Sequence, residues 1–187
     1  MLDRTSATIL LLAVLAAVLG GGLAEYRRHH ALSAAPVAAP APSAMVGRPL
    51  PALSLPDLEG RMHALADYRG RRLLINFWAT WCGPCLEEMP ALDRAQAKFR
   101  DQGVIVLGIA MDQRDHVRAF LAGRPVSYPM LRGSLEPPST SLQLGDEREM
   151  LPFSVLVGAD GRIMATHAGA LSDPLLTRWL APDAGAP

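Results

Sequence analysis

The chain has 187 residues, which corresponds to one globular domain with length left over. Its 18 Lys and Arg balance 18 Asp and Glu, so it lacks the basic excess that a general nucleic-acid binder needs. Half the residues are hydrophobic and 19% are charged, which excludes wholesale disorder; two Cys are too few for a disulfide scaffold or a four-cysteine zinc site.

Residues 8–24 read TILLLAVLAAVLGGGLA, without a charge. At 1.5 Å per residue the run spans about 25 Å, the short limit of a membrane helix. The same layout fits a secretory signal, with small residues at Gly22 and Ala24 for a peptidase to read. Residues 1–30 are therefore expected to be a signal anchor or a signal peptide. Arg4 precedes the run and Arg27 and Arg28 follow it, so charge does not set its orientation, and export is inferred from the signal-like layout. Residues 31–45 form an Ala/Pro linker, in which Pro36, Pro40 and Pro42 deny backbone donors and favour an extended tether of about 40 Å. His29 and His30 read as a solvated pair before it.

Residues 46–182 are one domain's worth of chain, and 183–187 are a tail. Pro49, Pro51 and Pro56 predict an extended lead-in, followed by a turn at 58–61. The run at 73–79, LLINFWA, predicts a buried central strand. After Pro84, Leu86, Met89, Leu92, Ala95 and Phe99 recur at helical spacing, and Gly103 closes the segment. Residues 104–110 predict a second buried strand. A helix carrying Val117, Phe120 and Leu121 begins near Asp115. Residues 155–157 predict a third strand, Asp160-Gly161 a hairpin turn, and 163–167 the returning strand. Leu175, Leu176, Trp179 and Leu180 mark a closing helix. Strand, helix, strand, helix, hairpin, helix is an α/β order, and it predicts a mixed sheet with helices on both faces.

Trp81-Cys82-Gly83-Pro84-Cys85 stands where the first central strand turns into its helix. A cysteine at a helix N-terminus faces unpaired amides and the positive end of the macrodipole, both of which favour thiolate. Lowering a thiol from ~8.5 toward ~7 is worth roughly 2 kcal/mol. Pro84 suits the first turn, where its missing donor goes unneeded. Cys85 lies one turn in, close enough to attack a mixed disulfide formed at Cys82. A disulfide closing so short a loop is a poor structural staple. Haem attachment needs His directly after the second Cys, where this chain has Leu86. The spacing therefore points to a redox pair.

With these residues in place, the chain resembles the thioredoxin superfamily, and more closely the TlpA/ResA/CcmG group of exported, often membrane-tethered thiol:disulfide oxidoreductases. The likeness runs from about residue 46 to 180 and is carried by Asn76 to Pro90, by Leu50 to Asp67, and by Leu151-Pro152 with the following strand and Asp160-Gly161. The resemblance implies a thioredoxin-like fold: a central mixed β-sheet flanked by helices, with an N-terminal extension. It makes Cys82 the attacking cysteine, Cys85 the resolving one, and Pro152 a cis-proline facing the pair, with Leu151 offering backbone to substrate. It also implies a kink at Pro90.

Thioredoxin itself has a buried Asp where this chain has Asn76, so that proton relay is absent. The TlpA-like group shares the Asn and can carry an acid in a central insertion; aligned so, Asp112 is the candidate proton acceptor for Cys85. Glu88 matches a Glu of the group's motif, with tuning of the pair as one reading and a helix-start role as the other. Trp81 is expected to shield the pair and meet partners, and Trp78 to be core. Phe153 stands where relatives carry Thr. His63, His116 and His167 show no metal spacing, and residues 132–150 are long and irregular enough to shape a docking rim.

The implied activity is reduction of client protein disulfides, with no cofactor and no metal. The implied partners are disulfide-bearing clients and an upstream membrane thiol donor, with membrane attachment through the N-terminal segment and no nucleic acid. Precedents for clients in the group are apocytochrome c and the copper-site cysteines of oxidase assembly. The expected placement is a bacterial-type inner membrane facing the periplasm, or the soluble periplasm if the leader is cleaved. A disulfide-forming oxidase of the same fold and a Cu(I)-binding metallochaperone are the alternatives. A thiol peroxidase needs Pro-x-x-x-Thr-x-x-Cys, which this chain lacks: Ile75 stands seven residues before Cys82, and Thr80 only two.

Overall fold

The computed structural model describes residues 44–181, and the expected leader, most of the linker and the tail lie outside them. In chain order the elements are β1 (Ser54–Pro56), β2 (Met62–Ala64), a 3-10 turn at Leu65–Tyr68, β3 (Arg72–Trp78), α1 (Gly83–Phe99), β4 (Val104–Ala110) and α2 (Arg114–Gly123). They continue with β5 (Met130–Arg132), α3 (Thr140–Gln143), β6 (Phe153–Val157), β7 (Ile163–Ala168) and α4 (Asp173–Leu180). The main sheet has the order β5-β4-β3-β6-β7. β4 runs parallel to β3 and to β5, while β6 is antiparallel to both β3 and β7. β1 and β2 form a separate antiparallel pair.

Side-chain alternation along β3 explains the layering. Leu74 and Trp78 enter one core cluster, with Met89, Leu92, Ala95 and Phe99 of α1, Val117 of α2, and Leu176, Trp179 and Leu180 of α4. Leu73, Ile75 and Phe77 enter the other, with Leu55, Leu65, Leu131 and Leu144. The three longer helices thus feed one cluster, and the N-terminal extension and the residue following α3 feed the other. Six buried residues in a row along β3 match a strand covered on both faces.

Four short pieces were not predicted as elements: β1, β2 and β5, of three residues each, and α3, of four. Each is too short for a sequence period, and its partners fix it. β1 pairs with β2 around the turn held by Asp57, and β5 pairs with β4 through Gly108↔Met130. The helix α1 runs as one element through Pro90, and after the 3-10 turn at Arg100–Gln102 the chain leaves through left-handed Gly103. Arg72 of β3 donates from its guanidinium to the carbonyls of Trp179 and Ala181, tying the end of α4 to the sheet. Among the described residues no helix is long and apolar enough to cross a membrane.

Candidate active site

β3 ends at Trp78, and four residues later Cys82 is the N-cap of α1 with extended backbone, φ −91° and ψ 97°. The Cys82 amide donates to the Ala79 carbonyl at 3.1 Å, and the Cys82 carbonyl accepts from Leu86 at 3.1 Å. Its sulfur accepts from the Cys85 amide at 3.3 Å, so the side chain caps the helix in the position where an anion is favoured. Cys82 and Cys85 are joined in a disulfide with Cα atoms 5.3 Å apart. Cys85 is fully enclosed, whereas Cys82 keeps 5% of its surface exposed. Gly83 and Pro84 are exposed, and a Cβ at Gly83 would meet nothing within 4 Å. Trp81 stands 67% exposed beside the pair in sequence, and Trp78 is buried with its indole N–H directed at Met130 sulfur.

Behind the pair lies a buried polar network. Glu88, one helical turn after Cys85, is 4% exposed. Its Oε1 accepts from Asn76 Nδ2 at 2.8 Å, and its Oε2 accepts from the Leu171 amide at 2.7 Å. Asn76 also donates to Ser154 Oγ at 3.1 Å, across the paired positions of β3 and β6. Burial pushes the Glu88 carboxyl up; the hydrogen bonds from Leu171 and Asn76 offset only part of that. Tyr128 lies in the same core cluster as Cys85, its hydroxyl buried with no partner among the described residues. Burial, then the charges of Asp93 and Glu88, pushes that phenol well above its ordinary range.

Asp112, just past β4, is held differently. Its Oδ2 accepts from the amide and the hydroxyl of Thr80; its Oδ1 accepts from the Gln113 amide at 2.6 Å and faces His116 Nδ1 at 3.3 Å. Burial pushes this carboxyl up, but the Thr80 hydroxyl, the amides of Gln113 and Thr80, and His116 outweigh it and hold Asp112 below the usual carboxylate range. The structure thus brings Asp112 to the residues preceding Cys82, and brings Glu88 to the helix turn that carries Cys85.

The Leu151–Pro152 peptide is cis. Pro152 is buried and directly precedes the Phe77↔Phe153 pair, which sets it beside the end of β3, the strand leading into Cys82. Its carbonyl accepts from Gly169 at 2.8 Å. Leu151 is half-buried and packs against both clusters. The segment 132–150 that leads into it holds a second cis bond, Pro137–Pro138, and α3, capped by Ser139. Leu135 and Met150 are exposed on it. His63 and His116 lie against Asp57 and Asp112, and His167 packs edge-on against Trp179. Among the described residues no group of three His, Cys, Asp or Glu is placed to hold a metal.

Sequence reasoning passed over Ser154, Leu171 and Tyr128, which reach the network only through the tertiary fold. Glu88 could have been placed on the buried face from its spacing to Leu92, Ala95 and Phe99, which lie along one stripe of α1.

The family model described as the AhpC/TSA family matches residues 46–166. The thiol-disulfide oxidoreductase ResA of Geobacillus thermodenitrificans is 30% identical over 128 residues, covering 68% of this chain and 71% of that protein. The structure of dsbF from MTB, solved in its mixed oxidised and reduced forms, aligns with a TM-score of 0.60 at 25% identity, covering 68% of this chain and 92% of that one. A secreted thiol-disulfide isomerase from Corynebacterium glutamicum shares the fold, with a TM-score of 0.65 at 22% identity over 71% of this chain and 83% of its own.

Proposed function

The chain belongs to the AhpC/TSA family of thioredoxin-like proteins and is a thiol:disulfide oxidoreductase, and from that premise we propose that it is an exported reductase of client protein disulfides working through Cys82 and Cys85. The observation that carries this reading is the asymmetry of the pair. Cys82 caps a helix and keeps an exposed edge, while Cys85 is enclosed beside a buried carboxyl on the next turn.

In the reduced protein, Cys82 thiolate attacks one sulfur of a client disulfide. A Cys82–client bond forms, the client S–S bond breaks, and the second client sulfur leaves as thiolate and takes a proton. Cys85 then loses its proton and attacks Cys82 sulfur. The Cys82–Cys85 bond forms, and the first client sulfur leaves. Two electrons have passed to the client, and a thiol donor must return them. We assign the proton from Cys85 to Glu88 rather than to Asp112. The Glu88 carboxyl is raised toward the basicity of a thiol and carries one hydrogen bond on each oxygen, whereas each Asp112 oxygen has two polar contacts, which together hold that carboxyl low. The cis Leu151–Pro152 peptide directly precedes the Phe77↔Phe153 pair of the strand that leads into Cys82, and its backbone is the edge on which an extended client segment would lie.

The leader and linker support placement outside the cytoplasm, either anchored or released, with a membrane thiol carrier as donor and haem- or copper-site cysteines as clients. The deciding experiment is the equilibrium potential of the pair in the full chain, measured against glutathione. A value near the thioredoxin end of the series supports the reductase; a value near the strongly oxidising end makes the protein a disulfide donor. Stoichiometric Cu(I) capture by a pair that does not exchange disulfides would favour the metallochaperone.

A further inference from the structure

We infer that Asp112 is a positioning residue for Cys82, acting through Thr80: its carboxylate clamps the turn between β3 and α1 and so sets how easily the Cys82–Cys85 pair closes. The inference rests on the reading of that pair as the redox centre.

The ends of the two neighbouring parallel strands meet here, since the Met111 amide donates to the Trp78 carbonyl at 2.8 Å. Asp112 is the next residue on one side, and Ala79, Thr80, Trp81 and Cys82 follow on the other. The turn has one internal bond, from the Cys82 amide to the Ala79 carbonyl. What joins it to the neighbouring strand end is the Asp112 carboxylate, which takes both the amide and the hydroxyl of Thr80 on one oxygen. Its other oxygen is braced by the Gln113 amide and by His116. The carboxylate side chain is only 5% exposed. An ionised carboxylate has about four lone-pair sites; Thr80 and Gln113 donate to three of them and His116 Nδ1 faces the fourth, so this carboxylate is committed to holding the turn. Charge-assisted bonds of this kind hold geometry firmly.

Two consequences of losing the clamp point the same way. A looser turn lowers the effective concentration of one sulfur at the other, which weakens the disulfide relative to the dithiol. Removing a fixed negative charge near the start of α1 favours Cys82 thiolate, which also stabilises the reduced form. The pair becomes easier to reduce.

The test measures the glutathione equilibrium and the thiolate absorbance titration of Cys82 in the full chain. The variants are Asp112→Ala, Asp112→Asn, Thr80→Val, Thr80→Ser and the Thr80→Val/Asp112→Ala double. Asp112→Ala is expected to shift the equilibrium toward dithiol about tenfold, equal to about 30 mV. Thr80→Val is expected to shift it the same way about threefold, as loss of one hydrogen bond would. Thr80→Ser, which keeps the hydroxyl, should stay near the parent. The double variant should be less than the product of the singles, because the two act through one contact. Unchanged potentials in folded Asp112→Ala and Thr80→Val, or fully multiplicative effects, overturn the inference. Where Asp112→Ala does not fold, silent Asp112→Asn and Thr80→Val overturn it equally. A parent pair that exchanges with glutathione while the variants match it sinks only the positioning role; a parent pair inert to exchange sinks the reductase reading as well.

Discussion

Asn76 and Glu88 lie 12 residues apart in the chain and meet in the core, the Asn76 amide donating to Glu88 Oε1 at 2.8 Å. One stands mid-strand in β3, the other on the second turn of α1, so the contact spans the same strand-turn-helix that displays Cys82. A neutral donor suits this place. It stabilises the carboxylate partly, without the full ion pair that would pull Glu88 down to an ordinary acid.

Replacing Glu88 with Gln keeps the volume and removes the titration. The resolving step, followed as release of client from a Cys82 mixed disulfide, is expected to slow about a hundredfold and to lose the rise that follows Glu88 ionisation. Stability gives a separate readout. The folded pKa is raised, so the stabilising contribution is whole below the ordinary Glu value of about 4.3 and is lost as pH rises through the folded value. Glu88→Gln should therefore be at least as stable as the parent at neutral pH, with a flatter dependence in denaturant titrations. A variant that resolves at the parent rate across pH removes Glu88 from the mechanism.

Much of this site could be read along the chain, and what could not was tertiary. The run 73–79, the cysteine spacing and the helical stripe through Phe99 placed β3, the turn and α1 to within a residue or two, because each is a local pattern with a strong period. The partners of Glu88 have no such pattern. Leu171 is 83 residues away and contributes only a backbone amide, which no side-chain motif announces. Asp112 was visible as an acid after a strand, but its contact with Thr80, 32 residues back, forms only once β3 and β4 lie side by side.

Serine in place of Cys85 should stop the reaction at its midpoint. Cys82 can still open a client disulfide, but no thiol follows to release the client. The full-length Cys85→Ser chain is expected to accumulate reducible mixed disulfides, seen as shifted bands on non-reducing gels. Cys82→Ser should accumulate none, because the remaining sulfur is fully enclosed. Equal trapping by both variants would reverse or abolish the assigned roles.

Asp57 governs the N-terminal hairpin by a dense set of contacts. Its carboxylate accepts from the amides of Glu59 and Arg61 at 2.9 Å each, from Arg61 Nε at 2.8 Å, and faces His63 Nε2 at 3.0 Å. Burial pushes the carboxyl up, but these partners together hold it far below the usual range. The folded value is depressed, so the stabilisation is present above the unfolded Asp value of about 3.9 and fades as pH falls toward the folded value. Asp57→Ala should lower the melting temperature by several degrees near neutral pH, with the gap narrowing below about pH 4. A gap that is constant with pH would show that the charge of Asp57 does not matter.

The two tryptophans flanking the turn separate packing from recognition. Trp78 is wholly buried against Phe120, ring centroids 5.5 Å apart, so Trp78→Ala should cost about 3–5 kcal/mol in denaturant unfolding. Trp81, one residue before Cys82, has two thirds of its surface in solvent and little to lose on truncation. Trp81→Ala should change stability by less than about 0.5 kcal/mol. Its effect belongs to the encounter: an exposed indole beside the attacking sulfur is the kind of anchor whose loss costs 1–2 kcal/mol of binding, so kcat/KM for a protein disulfide should fall about tenfold. A small dithiol-exchange substrate with no surface to dock should be reduced at close to the parent rate. Equal losses with the protein and the small substrate would mean that Trp81 acts on the chemistry of Cys82 rather than on the client.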